Sequence, residues 1–413
     1  MNGWLCRVVL LAALVSAPWA GRGQEASPAS VGLSAQRLER VAELMQGQID
    51  AQAFAGAVTL VARDGRIAYF HAQGLMDIES GRPMQKDAVF RIMSMTKPVV
   101  AFAILMLAEE GKVRLTDPVS RFLPELEGLA VAAEAEPGAK GSPPRTVPAE
   151  RPITIRDLLT HTSGLMSGGA SSAYAVEIGP RDSLADVLPR LADAPLDFQP
   201  GTRWAYSAQF GFDVLVRVAE VASGEPFDAF AKRRIFDPLG MQDTFFYPPE
   251  DHPRVARLYQ QTEGGLEVMP ELPFVNGVYF SGGGGLFSTA EDYFKFAQML
   301  LNGGELDGVR LVGRKTVELM TSVFVPDTLP GRTPGEGFGL GVRVVTDPAA
   351  RNTWLSAGSF GWSGAFNTHF FVDPAERLVG VFMTQSAFLA TRQRLRDDFE
   401  TAVMQALVDE ARR

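Results

Sequence analysis

One uninterrupted apolar run constrains the fold of this chain more than any other segment. Residues 99–108 read VVAFAILMLA, so a helix here is apolar all round, as expected of a helix buried at the centre of a domain. Pro98 stands just before the run, and proline is tolerated in a helix only in its first turn. We therefore expect a buried helix that begins at about Ser94 and is covered on every side by other elements.

The start of that helix carries a serine and a lysine three residues apart. Positions i and i+3 share a helix face, so the Lys97 ammonium can lie against the Ser94 hydroxyl. A serine hydroxyl needs an adjacent base to act as a nucleophile. At a helix N-terminus, Ser94 also keeps a backbone N–H available for an oxyanion. Taken alone, the pattern fits equally well a capped helix with a solvated lysine.

Two companion motifs follow in a set order. Residues 94–97 (SMTK) resemble the first motif of the serine β-lactamase and penicillin-binding-protein superfamily. Residues 204–208 (WAYSA) are similar to its second motif, Tyr-x-Asn or Tyr-Ser. Residues 361–365 (GWSGA) stand where the third motif is usually Lys-Thr-Gly, and Trp-x-Gly at this place resembles the family VIII carboxylesterases. The ordered set is far more specific than any one motif.

The resemblance implies a role for each motif residue. Ser94 is the nucleophile, and Lys97 and Tyr206 carry protons to and from it. The backbone N–H groups of Ser94 and Ala365 form the oxyanion hole, an arrangement that is typically the largest catalytic contribution. Gly364 is expected to let the substrate approach the strand backbone closely. No metal and no organic cofactor is implied.

Two positions depart from the β-lactamase pattern, and both concern the substrate. Ala208 replaces an asparagine that would bind a peptide-like side chain, and Trp362 replaces a lysine that would pair with a substrate carboxylate. Both changes favour neutral esters, so we expect a serine carboxylesterase that acts through an acyl-enzyme. The alternatives are a β-lactamase, a D-amino-acid peptidase or amidase, an acyltransferase, and a catalytically silent, cell-wall-binding relative.

Other catalytic constellations fit the sequence less well. The four histidines form no His-x-x-x-His pair and there is one cysteine, which argues against zinc. A Ser-His-Asp triad needs a Gly-x-Ser-x-Gly elbow, whereas residues 361–365 end in alanine and precede a strand. Residues 281–286 (SGGGGL) lack the Gly-Lys-Ser/Thr of a phosphate cradle, so we interpret them as a flexible segment before a helix over 290–301. His161 is interpreted as a packing histidine.

Strand patterns lie near both ends of the chain, and helical patterns fill the middle. Two hairpins are predicted, with strands over 56–62, 67–74, 366–372 and 378–384. We predict an α/β (α+β) fold of β-lactamase-like type, in which an antiparallel sheet from both chain ends is flanked by helices. That lobe covers about 30–92 and 287–413, and a helical lobe of about 93–286 is inserted between its parts. The active site is expected in the cleft between the lobes.

The N-terminus has the pattern of a secretory signal peptide. Arg7 supplies the positive charge, residues 8–15 form a short apolar core, and residues 17–23 form a small-residue cleavage zone. The apolar core is too short to span a bilayer. Cleavage is expected after Ala20 or Gly23, which gives a periplasmic or secreted protein.

The remaining chain is expected to be one hydrolase domain over 24–413, preceded by the signal peptide at 1–23. Its only cysteine, Cys6, would leave with the signal, so no disulfide is expected in the mature protein. The formal charge of −9 and the absence of basic runs argue against a nucleic-acid partner. The expected partner is a small-molecule ester, no transmembrane segment is expected in the mature protein, and no feature of the sequence indicates an oligomeric state.

Overall fold

The computed structural model describes residues 25–133, 145–249, 252–269, 277–387 and 392–408, so the expected signal peptide lies outside the described residues. The helices are α1 (Ala35–Asp50), α2 (Thr96–Glu109), α3 (Ile155–Leu159), α4 (Leu184–Val187), α5 (Phe210–Ser223), α6 (Phe227–Ala231), α7 (Asp237–Leu239), α8 (Ala290–Leu301), α9 (Arg314–Thr321), α10 (Pro348–Arg351) and α11 (Arg392–Met404). The strands are β1 (Gly56–Arg63), β2 (Arg66–Asp77), β3 (Arg82–Pro83), β4 (Phe90–Arg91), β5 (Ala130–Ala132), β6 (Thr146–Pro148), β7 (Tyr259–Thr262), β8 (Gly265–Val268), β9 (Phe287–Ser288), β10 (Glu305–Leu306), β11 (Val309–Arg310), β12 (Glu336–Phe338), β13 (Arg343–Val345), β14 (Phe360–Ser363), β15 (His369–Asp373), β16 (Leu378–Thr384) and β17 (Ser386–Ala387).

An antiparallel sheet joins the two ends of the chain. Eight of the described strands form it, in the order β12-β13-β14-β15-β16-β1-β2-β3. β1 pairs with β2 through a hairpin and with β16 from the other end, where Ala57 lies opposite Thr384. Asp64 and Gly65 at the hairpin turn have φ values of 53° and 75°, as a two-residue type I′ turn requires. The predicted sheet from both chain ends is confirmed.

Each face of the sheet packs against a different set of helices, because side chains alternate along every strand. On β16, Val381 and Met383 belong to the large core that also contains α2 and α8. Phe382, between them, belongs to a second core with Phe399 of α11 and Val41 of α1. The terminal helices therefore cover one face, while α8 and the helical part of the molecule cover the other.

The central helix is buried as the apolar run predicts. All side chains from 96 to 107 in α2 are buried, and α5 packs against this helix. The predicted start is wrong by two residues, because Met93–Met95 forms a 3₁₀ turn and α2 begins at Thr96. Met93 has a φ of 48°, which is uncommon for a residue with a side chain. Ser94 thus lies on a tight turn immediately before the helix.

The part of the chain between β4 and β9 is largely helical and contains α2 to α7. It also contains the hairpin of β5 and β6, and the hairpin of β7 and β8, to which β17 adds in parallel. α8 spans Ala290–Leu301, the range predicted for it. Among the described residues, no helix has the combination of length and apolar character that crossing a membrane would need. The limits proposed for the two lobes stay a prediction.

Candidate active site

Two distant segments of the chain meet at the hydroxyl of Ser94. Tyr206 donates a hydrogen bond from its hydroxyl to Ser94 Oγ at 2.7 Å, and Lys97 Nζ donates to the same oxygen at 3.3 Å. Ser94 and Lys97 are neighbours through the turn and first residues of α2, whereas Tyr206 comes from the segment that precedes α5. The structure therefore brings the serine, the lysine and the tyrosine of the motifs together.

Lys97 is held by backbone carbonyl groups. Its side chain is buried, and Nζ donates to the carbonyl oxygens of Ala208 at 2.6 Å and Gly283 at 2.7 Å in addition to Ser94. An ammonium has three N–H donors, so each of them has an acceptor. Nζ also lies 4.9 Å from the centre of the Tyr206 ring, within the range of a cation–π contact. These partners fix the position of Nζ against the serine hydroxyl.

A buried aspartate that the motifs did not indicate holds one of those carbonyl groups in place. Asp213 is fully buried on α5 and accepts hydrogen bonds from Tyr279 Oη at 2.6 Å, Ser281 Oγ at 2.8 Å and the N–H of Gly283 at 3.0 Å. Burial raises the pKa of Asp213, although these hydrogen bonds oppose the rise. Since the carbonyl of Gly283 accepts from Lys97, Asp213 orients the lysine through one residue. The sequence signal that could have indicated Asp213 is an acidic residue on an otherwise apolar helix face.

The glycine run packs tightly against α5, so the prediction of a flexible segment at 281–286 is wrong. A Cβ at Gly282 would lie 2.3 Å from the carbonyl oxygen of Phe212. One at Gly283 would lie 2.6 Å from Cα of Gln209. Real Cβ atoms do not approach so closely, so these glycines are required for the backbone to reach the helix. The run forms a wall of the active site.

The end of β14 contacts the serine turn through its backbone. A Cβ at Gly364 would lie 2.3 Å from the carbonyl oxygen of Ile92, and Thr368 Oγ1 donates to the same oxygen at 3.1 Å. This contact explains why position 364 needs a glycine, and the expected role of Gly364 toward the substrate stays a prediction. Within the described residues, the N–H groups of Ser94 and Ala365 donate to no other backbone or side-chain acceptor. Both donors stay available for an oxyanion.

An aromatic cluster supports Tyr206 from behind. Its ring centre lies 4.7 Å from that of His161 and 5.6 Å from that of Trp362. His161 is buried, and its Nδ1 accepts from the N–H of Ser207 at 3.3 Å. Burial, and then the charge of Lys97, hold the pKa of His161 well below its usual range. His161 is therefore a neutral packing residue, in agreement with the interpretation from the sequence.

A cavity of about 360 Å³ opens beside Ser94. Aromatic rings and glycines dominate its lining. The lining residues are Arg91, Met93, Ser94, Tyr206, Ala208, Gln209, Phe246, Tyr247, Tyr279, Ser281, Gly283, Gly284, Gly285, Phe287 and Ala365. Trp362 and Gly364, expected to contact the substrate, are not in this lining. Trp362 is half-buried and packs against Tyr206 and Phe338 instead.

A contact between a serine and a histidine lies on the face of β14 opposite to Trp362. Ser363 Oγ is 2.8 Å from His369 Nδ1, and His369 Nε2 is 3.1 Å from Glu400 Oε1, which also accepts from Arg343 at 2.6 Å. His369 is fully buried between the sheet and α11, so this set fastens the helix to the sheet. Within the described part of the chain, no group of three or more metal-binding side chains is assembled.

A sheet built from both chain ends, with serine, lysine and tyrosine beside it, is the arrangement of the penicillin-recognising serine enzymes. The chain belongs to the Beta-lactamase family, whose sequence profile matches residues 41–404.

Known proteins resemble this chain over most of its length. Esterase EstB from Burkholderia gladioli is 36% identical over 374 residues, which cover 81% of this chain and 86% of that protein. The N-acetylmuramyl-L-alanine amidase of Bacillus subtilis is 28% identical over 383 residues, covering 84% of this chain and 80% of the amidase. Among solved structures, EstCE1, described as a hydrolase with promiscuous acyltransferase activity, has a TM-score of 0.77 and 30% identity, covering 89% of this chain and 99% of that one.

Proposed function

We propose that this protein is a serine carboxylesterase that hydrolyses short-chain, neutral esters through an acyl-enzyme on Ser94. One observation carries the proposal: Ser94 Oγ accepts hydrogen bonds from both Tyr206 and Lys97 at the edge of a largely apolar cavity. A nucleophile in contact with two proton-carrying groups is the requirement for acyl transfer. The similarity to an esterase at 36% identity supports the same conclusion.

The geometry gives each residue a step in the reaction. For the first step, one member of the pair formed by Lys97 and Tyr206 has to be deprotonated. Ser94 Oγ attacks the ester carbonyl carbon while its proton passes to that group. The N–H groups of Ser94 and Ala365 receive the negative charge that develops on the carbonyl oxygen. When the tetrahedral intermediate collapses, Tyr206 returns a proton to the alkoxide, which leaves as the alcohol. Water then attacks the acyl-enzyme by the same route and releases the acid.

The cavity favours neutral acyl groups over β-lactams. The side chain at position 208 is a methyl group, so it offers no amide to a peptide-like substrate. The backbone carbonyl of Ala208 is already bound to Lys97. Among the described lining residues, Arg91 is the only charged one, and its guanidinium lies over the ring of Phe287, 4.7 Å from the ring centre. A charge-assisted hydrogen bond is worth roughly 1.5–3 kcal/mol. We expect kcat/KM for p-nitrophenyl butyrate to exceed that for a cephalosporin by about one to two decades.

Labelling with a fluorophosphonate tests the nucleophile. Peptide mapping should place the adduct on Ser94, and Ser94→Ala should abolish both labelling and esterase activity. Ser363→Ala is the matched control, since it removes the other serine that contacts a proton carrier, and it should leave labelling intact. An adduct on Ser363 would overturn the assignment. Absence of any adduct would favour the silent, cell-wall-binding alternative.

Acyl transfer is a second candidate activity, because an acyl-enzyme can be released by an alcohol as well as by water. The similarity to EstCE1 favours this candidate. Adding an alcohol at increasing concentration during ester hydrolysis should divert product from the acid to a new ester if the site accepts alcohols. Product ratios that stay independent of the alcohol would exclude acyl transfer to it.

We also propose that the protein is exported to the periplasm or the medium. The proposal rests on the charge, apolar core and small residues of positions 7–23. Expressed in a bacterium with its own leader, the protein should be recovered outside the cytoplasm with an N-terminus near Gly21 or Gln24. An active cytoplasmic protein with an intact N-terminus would contradict it.

A further inference from the structure

One glycine of the run at 282–285 is not required by the packing. Gly282 and Gly283 abut α5, and a Cβ at Gly285 would lie 2.8 Å from the carbonyl oxygen of Ser281. At Gly284 the nearest atoms to a Cβ belong to Met93 and lie 3.4 to 3.5 Å away, which is ordinary van der Waals contact. Gly284 also lies outside the group of glycines with positive φ. The backbone at position 284 can therefore accommodate a Cβ.

Gly284 lies in the lining of the cavity beside Ser94, and a side chain at this position would stand next to Met93, another lining residue. We propose that Gly284 determines the width of this cavity, and that the cavity holds the acyl group of the ester. The inference deepens the proposed function and rests on it. The acyl group becomes bonded to Ser94 Oγ in the first step and leaves only in the second, so it occupies the site in both. The lining contains both Ser94 and Ala365, the source of the second oxyanion donor.

The walls of the cavity define the chemistry of that acyl group. The hydroxyl of Tyr247 donates to the carbonyl oxygen of Tyr279 at 2.5 Å, and the hydroxyl of Tyr279 donates to Asp213 at 2.6 Å. Because these hydroxyls are engaged with the protein, the tyrosines offer ring surface to a ligand, as do Phe246 and Phe287. The volume of about 360 Å³ is at the small end of ligand sites. An unbranched or branched aliphatic acyl group fits this chemistry.

Replacing Gly284 should change the preference for acyl length. Gly284→Ala and Gly284→Val add increasing bulk beside Met93, and a single methylene of mismatch in an apolar pocket changes kcat/KM by about 10-fold to 200-fold. For p-nitrophenyl esters, the ratio of kcat/KM for octanoate to that for acetate should fall about 10-fold or more in Gly284→Val, and less in Gly284→Ala. Gly47→Ala is the matched control: Gly47 lies in α1 with no atom within 4 Å of its Cβ position, so the ratio should be that of the wild type.

The outcomes separate the inference from the function on which it rests. If the fluorophosphonate does not label Ser94 in the wild type, the proposed function itself is refuted. Labelling at Ser94 together with an unchanged octanoate-to-acetate ratio in a folded Gly284→Val would overturn only the inference. A second series of substrates, acetate esters of alcohols of increasing length, tests which part of the ester the cavity holds. If Gly284→Val changes the length preference only in this series, the cavity holds the alcohol and the inference is wrong. If Gly284→Val does not fold, Gly284→Ala decides the result.

Discussion

Acid should loosen the attachment of α11 to the sheet, because that attachment depends on an ionised, buried glutamate. Burial alone would raise the pKa of Glu400, but Arg343 and His369 lower it from 4.5 to about 2. A carboxyl whose pKa is depressed in the folded state stabilises the fold above pH 4.5 and loses that contribution as the pH falls toward 2. At 1.36 kcal/mol per pKa unit, the full contribution is about 3 kcal/mol. Native proteins are stable by only about 5–15 kcal/mol in total.

Urea unfolding of the wild type and of Glu400→Gln at two pH values measures the contribution of ionised Glu400 to the free energy of unfolding. The glutamine variant should be less stable at pH 7, and its deficit should shrink by about 2 kcal/mol at pH 3, where part of the contribution of Glu400 is already lost. Glu43→Gln makes the same chemical change at an exposed position of α1, and should stay within about 0.5 kcal/mol of the wild type at both pH values. Burial lowers the pKa of His161 and of His369, so both reduce the stability of the fold below pH 6.5. The loss from His161 is the same in all three proteins and cancels. The loss from His369 is larger in Glu400→Gln, which lacks the carboxylate that raises the pKa of this histidine, so the figure of about 2 kcal/mol is an upper limit. An equal deficit at pH 7 and pH 3 would refute the reasoning.

Four further substitutions test the catalytic site, chiefly through steady-state kinetics. Lys97→Ala and Tyr206→Phe should each lower kcat by about 10²–10⁴-fold, and the double variant should lose far less than the product of the two effects; near-normal turnover in either would mean that the proton carriers are wrongly assigned. Asp213→Asn should lower kcat about tenfold with KM little changed, because leaving a buried hydrogen-bond partner unsatisfied costs roughly 1–3 kcal/mol. The control is Asp292→Asn, which changes a buried aspartate that binds Asp243 and Lys295 and should keep kcat. Equal losses of kcat in the two variants would assign Asp213 a purely structural role. Gly364→Ala should lower both activity and melting temperature, since its Cβ would meet a carbonyl oxygen 2.3 Å away; an unaltered enzyme would contradict the contact.

Features encoded by neighbouring residues were predicted well from the sequence. The Asp-Gly pair at 64–65 specifies its turn by itself, and the apolar run at 99–108 has no amphipathic face, so its burial followed directly. The motif order also predicted the family and the fold, which are confirmed. The catalytic roles, the lobe limits and export stay predictions.

Features that depend on contacts between distant segments were missed. The glycine run at 281–286 reads as flexible because nothing nearby indicates that α5 packs against its backbone. Asp213 becomes informative only when Gly283, 70 residues later, is seen to donate to it. Likewise, Gly364 and Ile92 lie far apart in the sequence, and only the folded structure brings their backbones into contact. Spacing along the chain cannot reveal such pairs.

The pairing of β1 with β16 has a consequence for how the protein is made. β1 is among the first strands to leave the ribosome, yet its partner on one edge ends at Thr384. Until then, a strand that is buried along its whole length in the folded protein keeps an unpaired edge, the kind of surface that binds other chains. Long-range pairing of this kind also closes slowly. Nascent and truncated forms should therefore depend on chaperones or aggregate, and removal of the last strands should be far more damaging than their short length suggests.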